Sequence, residues 1–106
     1  MQIGSPVTIE AKGAAVIVPI TIVCAVGTPI ADLSVDVVEA VGSSIAHGRT
    51  GLVGIACTGE PDTMDVVVLA ENKPFRRGTA FVSANFVVYD RDACLTATDD
   101  REVRVR

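Results

Sequence analysis

Acidic residues crowd the segment YDRDACLTATDDREVRV (89–105) around a solitary cysteine, Cys94. The carboxylates belong to Asp90, Asp92, Asp99 and Asp100. Brought together across a loop, they could bind calcium, although the segment lacks the D-x-D-x-D-G pattern of calcium loops. Arg91 and Arg101 can neutralise the charges, so the sequence favours a solvated loop between the last two strands, with calcium binding as the alternative.

The cysteine and histidine content argues against thiol catalysis and against a metal site. A reactive thiolate needs a histidine partner or an electropositive setting, but Cys94 has acidic neighbours and the only histidine, His47, lies between glycine-flanked turns. No CxxC or HxxxH spacing places two ligands on one loop or helix turn. We therefore expect a free thiol at Cys94, no metal and no catalytic residue.

Other motifs of enzyme chemistry are missing from the sequence as well. It contains no glycine-rich phosphate loop and no G-x-S-x-G, and the glycines of HGRTG (47–51) are interpreted as turn residues. The sequence predicts a non-enzyme without a cofactor.

Arginine and aromatic residues mark the predicted partner contacts. Arg76 and Arg77 follow Phe75 in ENKPFRRG, and both residue types are over-represented at interface hot spots. The alternative is a hairpin loop whose Phe75 folds back over the core. Phe81 and Tyr89 lie on the second face of a strand whose other face points to the core, so they are further predicted contacts.

Composition restricts the partner and the compartment. The chain of 106 residues is expected to form one domain, and its net charge of −4 gives no surface for a nucleic-acid backbone. The longest apolar run, 14–26, is interrupted by Pro19 and is shorter than the roughly 20 residues that span a bilayer. The residues before it include Glu10 and do not resemble the basic start of a signal peptide. If the protein is exported, its targeting segment is expected to have been removed, with Met1 an addition.

Hydrophobic alternation predicts an all-β fold. With 49% hydrophobic but only 4% aromatic residues, the core must consist mainly of Val, Ile, Leu and Ala. Strands are expected at 6–12, 15–24, 31–38, 52–57, 64–70, 79–89 and 101–106, separated by Gly and Pro turns. A helix at 31–41 is the weaker alternative, because Val and Asp are poor helix formers. About seven short strands at such intervals are typical of an antiparallel, immunoglobulin-like β-sandwich.

Two cysteines, Cys24 and Cys57, are each expected at the end of a strand and at the same end of the sandwich. A disulfide between them would contribute roughly 3 to 4 kcal/mol in the chain-entropy model. Buried free thiols are the alternative.

Several pieces of the sequence, in order, resemble a family of small exported actinobacterial domains of immunoglobulin-like type. They are IVPITIVCAVG, GIACTGEPDTMDVVV, PFRRGTAFVSA and DDREVRVR. The resemblance covers nearly the whole chain and its motifs are structural. It implies a disulfide between Cys24 and Cys57 and an extracellular location, but no catalytic residue. Similar domains often have a further cysteine near the position of Tyr89, so Cys94 lacks that local mate here.

Two functions remain. The first is a non-catalytic module of the cell surface or extracellular space that binds an unidentified protein or surface glycan. The second is a self-assembling structural protein of a virion, such as a phage head-decoration or tail component. Charges on the strands at 31–38 and 101–106 should discourage association through sheet edges. If the loop carrying Phe75 covers the second face of the strand at 79–89, as we expect, the chain is a monomer.

Overall fold

The computed structural model describes residues 1–26, 30–90 and 93–106, and it does not describe the side chains of Ile30, Asp90, Ala93 and Cys94. The strands of these residues are β1 (Gln2–Ile3), β2 (Thr8–Glu10), β3 (Ala15–Ile22), β4 (Ile30–Val41), β5 (Ser44–Leu52), β6 (Asp62–Leu69), β7 (Gly78–Asp90) and β8 (Ala93–Val105). No helix among the described residues is long and apolar enough to cross a membrane.

The strands form two packed sheets, and the prediction of an all-β antiparallel sandwich is confirmed. In the first sheet β3 is central, with β1 and β2 following each other along one side and β6 along the other. The second sheet has the order β5, β4, β7, β8, and neighbours run antiparallel. Finer assignment to an immunoglobulin-like topology stays a prediction.

Alternation along the strands builds the core. Every second residue of β4 from Ala31 to Val41 is buried, so the two-residue period, and not the helical alternative, is correct for this segment. The facing positions of both sheets are mostly β-branched, as the composition predicts. The largest fully buried side chains are Phe75, Ile3, Ile20, Ile22, Leu33, Val7, Val16, Val18, Val35, Val37, Val66 and Val68.

The strand predicted at 52–57 is wrong. The strand lies earlier, at Ser44–Leu52, and residues 53–61 form an irregular connection. HGRTG therefore belongs to a strand instead of a turn. A Cβ on Gly48 would overlap the backbone oxygen of Leu69, so this glycine lets β5 and β6 approach closely.

The predicted acidic loop is also wrong where the structure describes it. β8 starts at Ala93, so Asp99 and Asp100 lie within a strand that pairs with β7 from Gly78 to Asp90. Similarly, Asp32 and Asp36 do not protect an edge, because β4 is a central strand. Their charges instead occupy the exposed face of the second sheet.

Backbone contacts connect the two sheets at two corners. The amide of Val7 donates to Arg104 at 2.9 Å and the amide of Ile9 donates to Arg106 at 2.8 Å, which joins the first sheet to β8. At the other corner the amide of Glu71 donates to the carbonyl of His47 at 2.9 Å. Asn72 extends this contact along β5: its Oδ1 accepts from the amide of His47 and its Nδ2 donates to the carbonyl of Ile45.

Cys24 and Cys57 are paired at disulfide distance, with Cα atoms 5.1 Å apart, in agreement with the predicted pairing. Cys24 follows β3 by two residues, whereas Cys57 lies in the irregular connection and not at a strand end. The amide of Gly59 donates to the carbonyl of Cys24 at 3.0 Å. We call this part of the sandwich the disulfide end.

Candidate functional site

An apolar patch lies on the exposed face of the second sheet. Phe81 is 47% exposed and pairs across the sheet with Val38, which is 38% exposed. Ile45, 57% exposed, pairs with Ala40, the next residue of β4 on the same face as Val38. We call Val38, Ile45 and Phe81 the outer-face patch.

The expectation that the loop carrying Phe75 covers this face is wrong. Phe75 is only 2% exposed and belongs to the core, so the alternative that it folds back over the core is correct and it is unavailable as a partner contact. Phe81 and Tyr89 both remain exposed. The argument for a monomer that rested on this cover therefore fails.

Gly13 explains why Phe75 turns inward. The amide of Phe75 donates to the carbonyl of Gly13 at 2.8 Å, and a Cβ on Gly13 would overlap the carbonyl oxygen of Phe75. Gly13 also has a φ of +91°, which favours glycine. The tight turn at 11–13 thus holds the loop at 71–77 against the open end of the core. We call this part of the sandwich, with residues 104–106, the basic end.

The basic end has an open cleft of about 480 Å³. It is lined by Arg77, Gly78, Arg104, Val105 and Arg106, and we call it the basic cleft. The backbone here is well fixed, because Gly78 pairs with Val105 and Thr79 pairs with Arg104 in the β7–β8 ladder. No carboxylate among the described residues forms an ion pair with Arg77, Arg104 or Arg106.

A buried carboxylate lies behind the cleft. Glu39 is only 3% exposed and occupies an inner-face position of β4. Its Oε1 accepts from the amide of Arg76 at 2.6 Å, whereas its Oε2 has no hydrogen-bond partner in the part of the chain that the structure describes. This oxygen lies 3.9 Å from the position of a Cβ on Gly78, a cleft residue. Sequence reasoning missed Glu39, although alternation with Val37 and Val41 places it on the inner face.

Basic residues are concentrated at one end of the molecule, whose longest extent is 46 Å. Six of the nine Lys and Arg residues belong to the basic end, namely Lys12, Lys73, Arg76, Arg77, Arg104 and Arg106. Acidic residues are found at both ends, with Glu60 and Asp62 near the disulfide end and Glu39 and Glu71 at the basic end. In the sequence these arginines form two separate groups, Arg76 with Arg77 and Arg104 with Arg106. Pairing of β7 with β8 brings the two groups together.

The described carboxylates of the predicted calcium set do not converge. Asp99 accepts a hydrogen bond from the amide of Ile3 at 2.9 Å and lies 3.4 Å from Arg101, while Asp100 accepts from Ser83 on the adjacent strand. As neighbours in one strand, they point to opposite faces of the sheet. Asp92 and the side chain of Asp90 are outside the described residues, as is the predicted free thiol of Cys94. Among the residues described, there is no cluster of potential metal ligands.

Polar contacts also lie on the exposed face of the second sheet. His47 Nδ1 lies 3.4 Å from Glu71 Oε2, so the histidine takes part in a surface contact between β5 and the loop. Arg49 Nε donates to Asp36 at 2.6 Å, and this hydrogen bond with the attraction of the carboxylate raises the pKa of Arg49. In the register of the sheet, Asp36 and Arg49 lie between the outer-face patch and Tyr89.

In comparisons with known proteins, the chain matched no protein-family model, no curated protein and no solved structure.

Proposed function

We propose that the chain is a non-catalytic, extracellular or cell-surface β-sandwich module that binds a protein partner through the outer-face patch. The single observation that carries this proposal is the exposure of Phe81, next to Val38 and Ile45, on a regular sheet face. Contiguous apolar side chains rimmed by polar residues are typical of protein interaction surfaces. An aromatic centre adds to that signature.

The rim of the patch is polar and charged. His47 lies opposite Val38, Glu102 lies opposite Phe81, and Arg104 is the next outward residue of β8. A partner surface with a small apolar centre and a mixed polar border would complement it. The cysteine pair supports an extracellular location, because disulfides persist in oxidising compartments. The proposed family, exported and immunoglobulin-like, is compatible with both features.

Photo-crosslinking would test the proposal. A photoreactive phenylalanine analogue replaces Phe81 in the native host, and the matched control places it at Val67, which is 51% exposed on β6 of the other sheet. The proposal expects one defined heterologous product from position 81 and none from position 67. Equal products from both positions, or no product from either, would contradict it.

Self-assembly is the second proposed function, and the same uncovered patch favours it. In that case position 81 would give crosslinked products at multiples of the chain's own mass. Light scattering on the purified protein would then show a stable oligomer. Phe81→Asp would dissociate the oligomer, whereas Val67→Asp would leave it intact, with the β-sheet circular dichroism signal unchanged in both.

A further inference from the structure

The geometry points to an oxyanion-binding site in the basic cleft. We infer that its arginines bind a phosphate, sulfate or carboxylate group, and that Glu39 accepts a hydrogen bond from a donor beside that group on the same ligand. An acidic sugar, such as a uronic acid with its carboxylate next to ring hydroxyls, has both features. This inference does not rest on the outer-face patch, although Arg104 belongs both to the cleft and to the rim of that patch.

The arginines supply the anion recognition. A guanidinium group presents several N–H donors in a planar fork that matches an oxyanion, and such charge-assisted hydrogen bonds are stronger than neutral ones. Arg104, an outward residue of β8, and Arg106, the residue after the strand, have carbonyls that accept from the amides of Val7 and Ile9. The backbone of Arg104 is therefore fixed from both sides, since it also pairs with Thr79, and that of Arg106 is fixed by its hydrogen bonds with Val7 and Ile9. With no carboxylate paired to them among the described residues, their donors are available to a ligand.

Glu39 supplies the second observation. A buried polar atom without a partner costs free energy, and the cost is larger for a charged group. Glu39 Oε2 is such an atom among the described residues, and it lies 3.9 Å from where a Cβ on Gly78, a residue of the cleft lining, would stand. A hydroxyl or ammonium donor that enters past Gly78 would satisfy this oxygen. The arginine groups would meanwhile balance the charges of ligand and carboxylate.

A competing explanation is that the arginines only offset the buried charge of Glu39. The two explanations differ in whether the wild-type cleft binds a ligand. If the arginines are only a counter-charge, the cleft binds no ligand specifically in the wild-type protein. If the cleft is a site, binding is present in the wild-type protein and depends on the donor content of the ligand.

NMR titration of the full chain tests the site directly. The probes are sulfate, a plain oxyanion; acetate, a carboxylate without hydroxyls; glucuronate, a carboxylate with hydroxyls; and glucose, the uncharged control. We expect saturable amide shifts at Gly78 and Val105 with sulfate and glucuronate, at a Kd of about 1 mM or tighter for glucuronate. Acetate should bind more weakly than glucuronate, and glucose should cause no shift.

Two variants assign the contacts. Arg104→Gln should weaken sulfate and glucuronate binding about tenfold or more, since a hydrogen bond to a charged group is lost. Lys73→Gln is the matched control, a cation of the same end outside the cleft, and should change neither. Glu39→Gln should weaken glucuronate relative to sulfate; if this variant does not fold, the wild-type ratio of glucuronate to acetate affinity carries the same information.

The outcomes are distinct. Shifts that do not saturate, or that persist in Arg104→Gln, would overturn the site. Equal affinity for glucuronate and acetate would overturn the role of Glu39. Ile45→Asp, on the strand of the patch that lies farthest from Arg104, should leave the titration unchanged, so a failure of the outer-face patch as a partner surface would not be mistaken for a failure of the cleft.

Discussion

The two ends of the sandwich are closed by different means. At the basic end a buried aromatic ring, Phe75, fills the opening between the sheets, and backbone hydrogen bonds join both corners. At the disulfide end the chain is irregular from 53 to 61, and Val26 and Val53 are 73% and 82% exposed. There a covalent pair joins the chain segments, and Cys24, Ile55 and Cys57 are only partly buried against the core. The packed end can therefore position side chains for recognition, while the disulfide end chiefly restrains the chain.

Removal of Phe75 should have the largest effect on stability. Phe75→Ala leaves a cavity at the packed end, and we expect a loss of about 3 to 5 kcal/mol in the free energy of unfolding. Phe81→Ala is the matched control, because Phe81 is half exposed on the outer face. Chemical denaturation of both variants checks the difference. Equal losses would show that the ring of Phe75 does not close the core.

Removal of the disulfide should have a slightly smaller effect. The loop between Cys24 and Cys57 spans 33 residues, so the Cys24→Ser/Cys57→Ser variant should lose about 3 to 4 kcal/mol in the chain-entropy model. Reductant should destabilise the wild-type protein similarly and leave this double variant unaffected. A double variant as stable as the oxidised protein would mean that the irregular end needs no covalent restraint.

Sequence reasoning succeeded where a local pattern controls the outcome. The alternation of Leu33, Val35 and Val37 with polar residues predicted the face of β4, and turn residues bounded several strands. It failed where distant segments meet. The inward turn of Phe75 depends on Gly13, which is 62 positions away in the chain (75 minus 13), and no local pattern records that contact.

The basic cleft shows the same limit. The sequence predicted Arg77 as a partner contact but did not link it to Arg104; the two become neighbours only through the register of β7 against β8. Cys57 illustrates the opposite case: its predicted partner is correct although its predicted strand is not. Pairing of Cys24 with Cys57 depends on the two points of the chain being close, which is a weaker requirement than the correct strand boundary.

The corner beside β5 should contribute less than either end closure. Asn72→Ala removes the two hydrogen bonds that its amide makes with the backbone of β5, and we expect a loss of about 1 to 2 kcal/mol. Lys73→Ala, at the next exposed position, should stay within about 0.5 kcal/mol of the wild type. Thermal and denaturant unfolding would check both, and a neutral Asn72→Ala would mean that water replaces the amide fully.

The smallest effect is a gain at the tight turn before β3. Ala11 has a φ of +51°, a conformation that favours glycine, so Ala11→Gly should raise the free energy of unfolding by about 0.5 to 1 kcal/mol. Ala14→Gly is the control, since Ala14 has a φ of −65° and should instead become less stable. A loss of stability in Ala11→Gly would contradict the strain assigned to this turn.

The division of roles between the two ends is tested most directly by the glucuronate affinity of two variants, measured where both are folded. Cys24→Ser/Cys57→Ser should bind glucuronate within about twofold of the wild type, because distant sites contribute independently. Arg104→Gln should keep wild-type stability and lose most of the affinity. A double cysteine variant that loses binding, or an Arg104→Gln variant that retains it, would contradict the assignment of recognition to the basic end.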